Sequence, residues 1–503
     1  MEVLEERGSV IQEFYRGANI FITGGTGFMG KLLMEKLLRS CPYINNIYIL
    51  MRSKKGKDVH TRLEEIFNDL LFEKLKEEMP KFCQKVTALS GDCIESGLGL
   101  SPSDRQLLAE EVDVVFHCAA TVRFDEKLRI AVDINVRGTQ SVLELAREMR
   151  RLKALIHVST AYSNYHLPEI DEKIYNHSLS AVNLITIVDN IPDSILDRIT
   201  ACLLEKWPNT YVYTKAMAEH LLWEQGVGMP IGVFRPAIVG ATRAEPVCGW
   251  IDNMQGLTGL VTAAYLGYIR SLHCDPKTVA NIVPVDMTIS ALIASAWEVA
   301  NKSRTASGED ILLYNYVSSV QKPIIWKQLA DRCADCIRSS PTVRAIWYFC
   351  FSMNKHYPVY FLYVMFLHFL PAYLVDGVSL LFGKHTKMTK TYKKLSHSSA
   401  LLSWFTTRDW IFTNDNVQGL WSKMDGNDRR LFDFNIAGLD WEEYLHNYVR
   451  GIRLYIIKDD LSTIPEGLKR YKRFYWMHQG LKILIMLFIL KLIWAIFTFM
   501  FQK

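Results

Sequence analysis

Tyr211 and Lys215 stand four residues apart in the run Tyr211-Val-Tyr-Thr-Lys215, a spacing that puts both side chains on one face of a helix. The chemistry open to such a pair is proton delivery to a carbonyl. An oxygen that takes up charge during hydride attack needs an acid beside it, and a phenol with an ordinary pKa of about 10 is a poor one. A fixed ammonium one turn along favours the phenolate, so the phenol gives up its proton more readily near neutrality. Tyr-x-x-x-Lys alone recurs by chance on exposed helix faces. Its meaning rests on the elements that would hold it.

The first of these is the run Ala18-Asn-Ile-Phe-Ile-Thr-Gly-Gly-Thr-Gly-Phe-Met-Gly30, a short apolar strand entering a glycine turn, with apolar periodicity to Leu38 behind it. This order predicts strand, turn and helix. Gly24 permits the tight turn, Gly27 lets a pyrophosphate approach the backbone, and Gly30 lets helix and strand pack closely. The dinucleotide cradle is therefore assigned to Thr23, Gly24, Thr26, Gly27, Phe28, Met29 and Gly30, with the helix N-terminus facing the phosphates.

The next strand, Ile47-Tyr-Ile-Leu-Met-Arg52, ends in arginine where an NAD site carries an acid. Arg52, followed by Lys54 and Lys55, suits a 2′-phosphate, which favours NADPH over NADH. Further strands are expected at Lys85 to Leu89, Val112 to His117 and Ala154 to Val158, separated by helical patterns. The fold class is thus α/β, a Rossmann-type doubly wound parallel sheet. Asp92, beside Cys93 after the third strand, falls where the adenine amino group would lie, and Ala119 and Ala120 allow close approach of the cofactor. The strand ending at Val158 runs into Ser159-Thr160, placing a hydroxyl near the nicotinamide end. Thr160 is the first choice for orienting the carbonyl; Ser159 competes with it.

These residues carry a resemblance. The glycine turn, the Ser-Thr strand end, Tyr211-x-x-x-Lys215 and Arg235-Pro236 resemble an extended short-chain dehydrogenase/reductase. Phe116-His-Cys-Ala-Ala-Thr-Val-Arg-Phe-Asp125, Pro208-Asn-Thr-Tyr211, Arg235-Pro-Ala-Ile-Val-Gly240, Gly249-Trp-Ile-Asp-Asn253 and His368-Phe-Leu-Pro-Ala372 narrow it: they resemble animal alcohol-forming fatty acyl-CoA reductases, over roughly Arg16 to Val449. The resemblance implies reduction of a long-chain fatty acyl-CoA to a primary alcohol through an aldehyde, with two NADPH consumed. It implies catalytic roles for Thr160, Tyr211 and Lys215, the last two also touching the cofactor, and places Pro236 and Ile238 beside it. Two other classes share the residues: a membrane-bound reductase of steroids or other ketones, and a non-catalytic NADPH-binding scaffold.

Composition limits the alternatives. The chain has 503 residues, 49% hydrophobic and 22% charged, with a net charge of +5. No basic stripe or nucleic-acid module is present, so no nucleic-acid partner is expected. Ten scattered cysteines and the acidic start Met1-Glu-Val-Leu-Glu-Glu6 favour a reducing, cytosolic setting. Cys333-Ala-Asp-Cys336 lacks a second pair, and no metal site is assigned. The sequence leaves the oligomeric state open.

Along the chain the expected parts are an N-terminal extension to residue 15, a cofactor-binding reductase domain over 16–325 and a helical linker over 326–355. A mainly helical C-terminal domain over 356–450, a basic juxtamembrane segment over 451–479 and a membrane helix over 480–501 follow. Residues 182 to 200, inserted between Thr160 and Tyr211, are amphipathic and suit an acyl-chain cover or a plain surface excursion. Tyr357 to Phe382 is apolar but holds Pro358, His368, Pro371, Asp376 and Gly377. A broken interfacial helix fits it best, with a span or a buried acyl-binding surface as alternatives. Ile483 to Phe501 is apolar but for Lys491, and Lys469, Arg470, Lys472 and Arg473 precede it. A tail anchor with the bulk in the cytosol follows from the positive-inside bias, although a central lysine costs about 2.5–3.5 kcal/mol and keeps an interfacial helix open. Membrane lipid is thus an expected partner, and the resemblance makes the peroxisomal membrane or the endoplasmic reticulum the expected location.

Overall fold

The computed structural model describes residues 8–54, 56–302 and 311–501. The acidic start, Lys55 and most of the polar break over 301–310 lie outside the described residues. Two units emerge from the packing. One comprises the chain up to Ile251, Thr278–Ile325 and Arg408–Tyr444; the other comprises Asp252–Lys277, Trp326–Thr407 and the chain from Leu445 onward.

The first unit is built on seven parallel strands: β1 (Asn19–Thr23), β2 (Asn46–Met51), β3 (Val86–Ser90), β4 (Val114–His117), β5 (Ala154–Val158), β6 (Ile231–Pro236) and β7 (Leu312–Tyr316). Their order across the sheet is β7-β6-β5-β4-β1-β2-β3. Continuous apolar strands such as Ile20-Phe-Ile22 and Val114-Val-Phe116 are fully buried, as a parallel sheet covered on both faces requires. The order reverses between β1 and β4, and β1 pairs with both β2 and β4. That switch point opens a crevice at the carboxyl ends of the strands, where a doubly wound sheet holds its ligand. The expected late strand joins the sheet as β7, beside β6.

Three helices matter for the site. α1 (Phe28–Ser40) leaves the glycine turn, α2 (Gly138–Glu148) follows β4, and α3 (Thr210–Gln225) carries Tyr211 and Lys215. Asn209 caps α3 by accepting from the Val212 N–H at 3.0 Å, satisfying one of the donors orphaned at a helix start. α3 is buried on nearly every side from Val212 to Leu222.

Residues 408–444 return to this unit from far along the chain. Ile411–Phe412 pairs with Glu169–Ile170. The Asn416 side chain donates to the Leu313 carbonyl of β7 at 2.8 Å, and the Asn416 N–H donates to Glu172 at 2.7 Å. Phe432, Phe434 and Ile436 are buried.

The second unit is mainly helical, with one short parallel pair, Ser271–His273 against Ser352–Asn354. Arg453, fully buried there, pairs with Asp459 at 3.1 Å and donates to the Ser340 and Pro341 carbonyls at 3.0 Å each. Cys333 is buried on the helix Trp326–Ser339, and none of the ten cysteines is joined in a disulfide. Among the described residues no cluster of His, Cys, Asp and Glu is arranged to hold a metal.

The expected break in the apolar segment is absent. α4 (Tyr357–Leu381) runs unbroken, with Pro358 in its first turn, where a missing N–H is harmless. A π-helical turn at Met365–Phe369 precedes Pro371 and accommodates it. α5 (Met388–Thr406) follows, and α6 (Ile464–Phe501) closes the chain.

Candidate active site

The glycine turn is shaped as a cradle. Gly24 has φ +73°, and a Cβ there would sit 2.7 Å from the Ala119 nitrogen; at Gly30 it would sit 2.3 Å from the Gly24 carbonyl. At Gly27, the exposed residue before α1, the nearest atom would be 3.2 Å away. Gly24 and Gly30 are therefore fixed by close backbone approach, whereas Gly27 keeps the helix mouth open. No side chain caps α1, which leaves its first N–H groups free for an anion. The residues fit a dinucleotide pyrophosphate.

The other residues assigned to the cradle divide. Thr26, Phe28 and Met29 are half-buried at the turn, and Phe28 stacks on Trp250 with centroids 5.5 Å apart. Thr23 is turned inward: its hydroxyl meets His117 Nδ1 at 2.7 Å and accepts the Ala119 N–H at 3.3 Å. It thus ties β1 to the loop after β4. His117 also meets the Thr139 hydroxyl at 3.0 Å, and burial lowers its pKa to about 3, so it is neutral.

Arg52 and Asp92 end adjacent strands and form an ion pair of 3.3 Å. Cys93 packs against Gly138 at the start of α2, and burial pushes its thiol up to about 12. Ala119 and Ala120 are half-buried beside the glycine turn. Pro236 is buried and its carbonyl accepts the Ala161 N–H at 3.0 Å; Ile238, half-buried, lies on a short strand paired with Ile282.

At the end of β5 the neighbouring hydroxyls part. Ser159 donates to the buried Glu219 carboxylate, which Arg235 clamps at 2.9 and 2.6 Å. Thr160 instead accepts the Tyr162 N–H at 3.3 Å and lies beside the Tyr211 phenol, close enough to lower its pKa. The structure thus brings Thr160 to Tyr211 and directs Ser159 into an internal ion pair. Lys215 is buried, and its Nζ donates to the Val158 carbonyl at 2.6 Å.

Electrostatics differ from the simple expectation of an activated phenol. Burial pushes the Tyr211 phenol up to about 12, partly offset by the neighbouring Thr160 hydroxyl. Burial also lowers Lys215 to about 8, opposed by the nearby Cys118, Glu219 and Cys93. Tyr211 is therefore a neutral phenol in this state, which is the form that donates a proton.

Two residues escaped the sequence reading. Asn135, in a π-helical turn and fully buried, accepts the Thr121 N–H at 3.0 Å and donates to Thr214 of α3 at 2.9 Å. It joins the loop after β4 to the helix bearing Tyr211; no local spacing marks it, because a π turn has no simple sequence signature. Phe124 stacks on Tyr211, centroids 5.6 Å apart. It lay within a quoted motif, but its partner is distant in sequence. The inserted 182–200 stretch forms helices Ala181–Asn190 and Asp193–Leu204. Arg129 holds it by donating to the Ile191 carbonyl at 2.6 Å, and Lys127 by an ion pair with Asp197 at 2.9 Å.

The arrangement is that of an extended short-chain dehydrogenase/reductase: a dinucleotide cradle at the switch point, with a Thr, Tyr and Lys set at the neighbouring strand end. Comparison narrows the class. Two family models, both described as male sterility protein, match residues 22–292 and 367–459. Fatty acyl-CoA reductase wat of Drosophila melanogaster is 40% identical over 93% of this chain and 90% of its own length. Fatty acyl-CoA reductase 1 of Xenopus laevis is 36% identical and that of Homo sapiens 34%, each over 97% of this chain and 93% of the relative. The chain belongs to the fatty acyl-CoA reductase family. Among solved structures, the reductase domain of a nonribosomal peptide synthetase from Mycobacterium tuberculosis aligns with TM-score 0.57 at 18% identity, covering 87% of this chain and 91% of that one. The terminal reductase domain of the myxalamid pathway aligns with TM-score 0.54 at 19% identity, with the same coverage. Both share the fold. A nicotinamide dinucleotide is the cofactor that this fold and family take.

Proposed function

We propose that this protein reduces long-chain fatty acyl-CoA to the primary alcohol and CoA, consuming two NADPH, at the site formed by Thr160, Tyr211 and Lys215. The observation that carries the reading is the bond from Lys215 Nζ to the Val158 carbonyl at 2.6 Å, which holds the helix bearing Tyr211 and Lys215 against the strand end that carries Thr160.

When bound, the nicotinamide supplies a hydride, once to the thioester and once to the aldehyde. The Thr160 hydroxyl orients the carbonyl oxygen in each round. The tetrahedral product of the first addition collapses with loss of CoA thiolate, giving the aldehyde; no acyl-enzyme is needed. In the second round Tyr211 gives its proton to the oxygen that becomes the alcohol. Lys215 holds the end of β5 through the Val158 carbonyl and places its charge beside the site. Cofactor contacts are assigned to the glycine turn, Ala119, Ala120, Pro236 and Ile238, with Cys93 and the inward-facing Thr23 supporting that surface from beneath.

NADPH is favoured over NADH because Arg52 is exposed at the end of β2. On cofactor binding it turns from Asp92 to the 2′-phosphate, freeing Asp92 for the adenine. α6 anchors the protein to the peroxisomal or endoplasmic reticulum membrane, with the catalytic part in the cytosol.

The test is product analysis with purified protein, NADPH and a panel of acyl-CoAs, following thiol release and alcohol together. One CoA thiol and two oxidised NADPH per alcohol are expected. NADPH binding with neither aldehyde nor alcohol overturns the reading, and ketone reduction without thiol release replaces it by the steroid-type reductase.

A further inference from the structure

In the second unit an excursion leaves and returns at one place. It leaves from Ser352–Asn354, which pairs with Ser271–His273. It returns at Thr406, whose hydroxyl donates to the His273 carbonyl at 2.8 Å and whose carbonyl accepts the Asp275 N–H at 2.9 Å. Between these points α4 runs out, the chain turns at residues 382–387, and α5 runs back. A helix whose two flanks are fastened to the same strand cannot deliver the chain across a bilayer by itself. Its return arm, rich in Lys, Ser and Thr, is no partner for hydrocarbon.

Each interruption of α4 is nevertheless satisfied within the protein. Pro371 deprives the Leu367 carbonyl of its helical donor, and the Arg270 guanidinium donates to that carbonyl. The Arg270 N–H donates to His368 Nε2 at 2.9 Å, and the His368 ring stacks on Tyr392 of α5, centroids 5.3 Å apart. Asp376 accepts the Met388 and Thr389 N–H groups at 3.0 and 2.8 Å, capping α5. The His368 and Asp376 side chains of α4 thus bond to protein, while Phe361, Leu362, Phe366, Leu374 and Leu381 are exposed; Phe366 is 63% and Leu381 85% exposed. Tyr360, Val364 and Ala372 form the buried side. At the turn and along α5, Lys384, Lys387, Lys390, Lys393 and Lys394 are all exposed.

We propose that the α4–α5 hairpin is a second membrane contact, separate from the terminal helix: α4 lies in the plane of one leaflet with its exposed face among the acyl chains. The lysines of the turn and of α5 meet anionic phospholipid headgroups. An apolar stripe with cations beside it is the arrangement that interfacial binding rewards, and satisfied polar groups remove the cost of burying the helix. The inference stands apart from the catalytic reading.

The test adds full-length protein to preformed phosphatidylcholine vesicles, with and without phosphatidylserine, and labels it with a lipid-soluble carbene probe mapped by peptide mass spectrometry. Label is expected on Phe361, Phe366, Leu374 and Leu381 but not on Tyr360 or Ala372, and more of it when phosphatidylserine is present. Label confined to α6 overturns the proposal. F366E/L374E should lose α4 label while α6 label and turnover of a water-soluble short-chain acyl-CoA persist; unchanged α4 label counts against it. K393E/K394E should abolish the phosphatidylserine effect, and its persistence refutes the headgroup contact. A cysteine in place of His385 should react with a membrane-impermeant thiol reagent from the side of addition; protection until the vesicles are lysed would mean a span and refute the in-plane arrangement.

Discussion

The Ser159 hydroxyl donates to the Glu219 carboxylate, sixty residues away in sequence, while the hydroxyl of the next residue, Thr160, accepts the Tyr162 N–H at 3.3 Å and lies beside Tyr211. One strand end thus serves two unlike neighbours. Removing the Thr160 hydroxyl in T160V should lower kcat about 10²–10³-fold with nicotinamide binding retained, the scale for losing one donor to a developing oxyanion. S159A should instead lower stability by about 1–3 kcal/mol, because a buried carboxylate loses a donor, and leave most of kcat. Steady-state kinetics with thermal unfolding of both variants decides between the two assignments.

Tyr211→Phe removes the proton donor and little volume. Cofactor affinity, measured by fluorescence titration, should be unchanged, whereas turnover should fall about 10²–10⁴-fold. Full activity in this variant would take Tyr211 out of the mechanism.

The rate should also depend on pH in a stated direction. Burial lowers Lys215 to about 8, so its positive charge is present below that value and is lost as pH rises through it. Tyr211, raised to about 12, stays protonated throughout. Single-turnover reduction should therefore decline above about pH 8. K215M should abolish that limb together with most of the rate, and a pH–rate profile of both proteins checks it.

Exchanging Arg52 for alanine should raise KM for NADPH about tenfold, the lower end for a charge-assisted contact, since Arg52 is exposed and solvent screens it. KM for NADH should barely change. Equal effects on both cofactors would show that Arg52 does not read the 2′-phosphate.

Alanine at the glycines should rank by space. Gly30→Ala drives a methyl to 2.3 Å from the Gly24 carbonyl, whereas Gly27→Ala brings one to 3.2 Å. The first should lose folded yield and dinucleotide binding together. The second should fold and bind more weakly, as thermal melts with and without cofactor would report.

Strongly local signals were legible in the sequence. The glycine turn, the strand Ala154–Val158 and the helix of Tyr211 and Lys215 lie where apolar periodicity and turn chemistry put them, because each is decided by neighbours a few residues away. The choice between Ser159 and Thr160 was not legible, since it depends on Glu219 and Arg235 arriving from other elements. Nor was the continuity of α4: Pro371 reads as a break, and the Arg270 guanidinium that compensates for it lies about a hundred residues earlier. Asn135 stayed hidden because both its partners, Thr121 and Thr214, are set by tertiary packing. Burial likewise reversed the simple expectation for the Tyr211 phenol, since desolvation is invisible in spacing.

The return of residues 408–444 to the strand-rich unit constrains how the molecule can be cut. A recombinant fragment ending at residue 325 would keep every residue of the glycine turn and the Tyr211 helix, yet Ile170 would lack its strand mate and Glu172 one of its two backbone donors. Chimeras that exchange the front and back of the chain between family members would pair Glu169–Ile170 with a segment from the other parent, so crossovers belong at the spatial seams and not at the midpoint of the sequence.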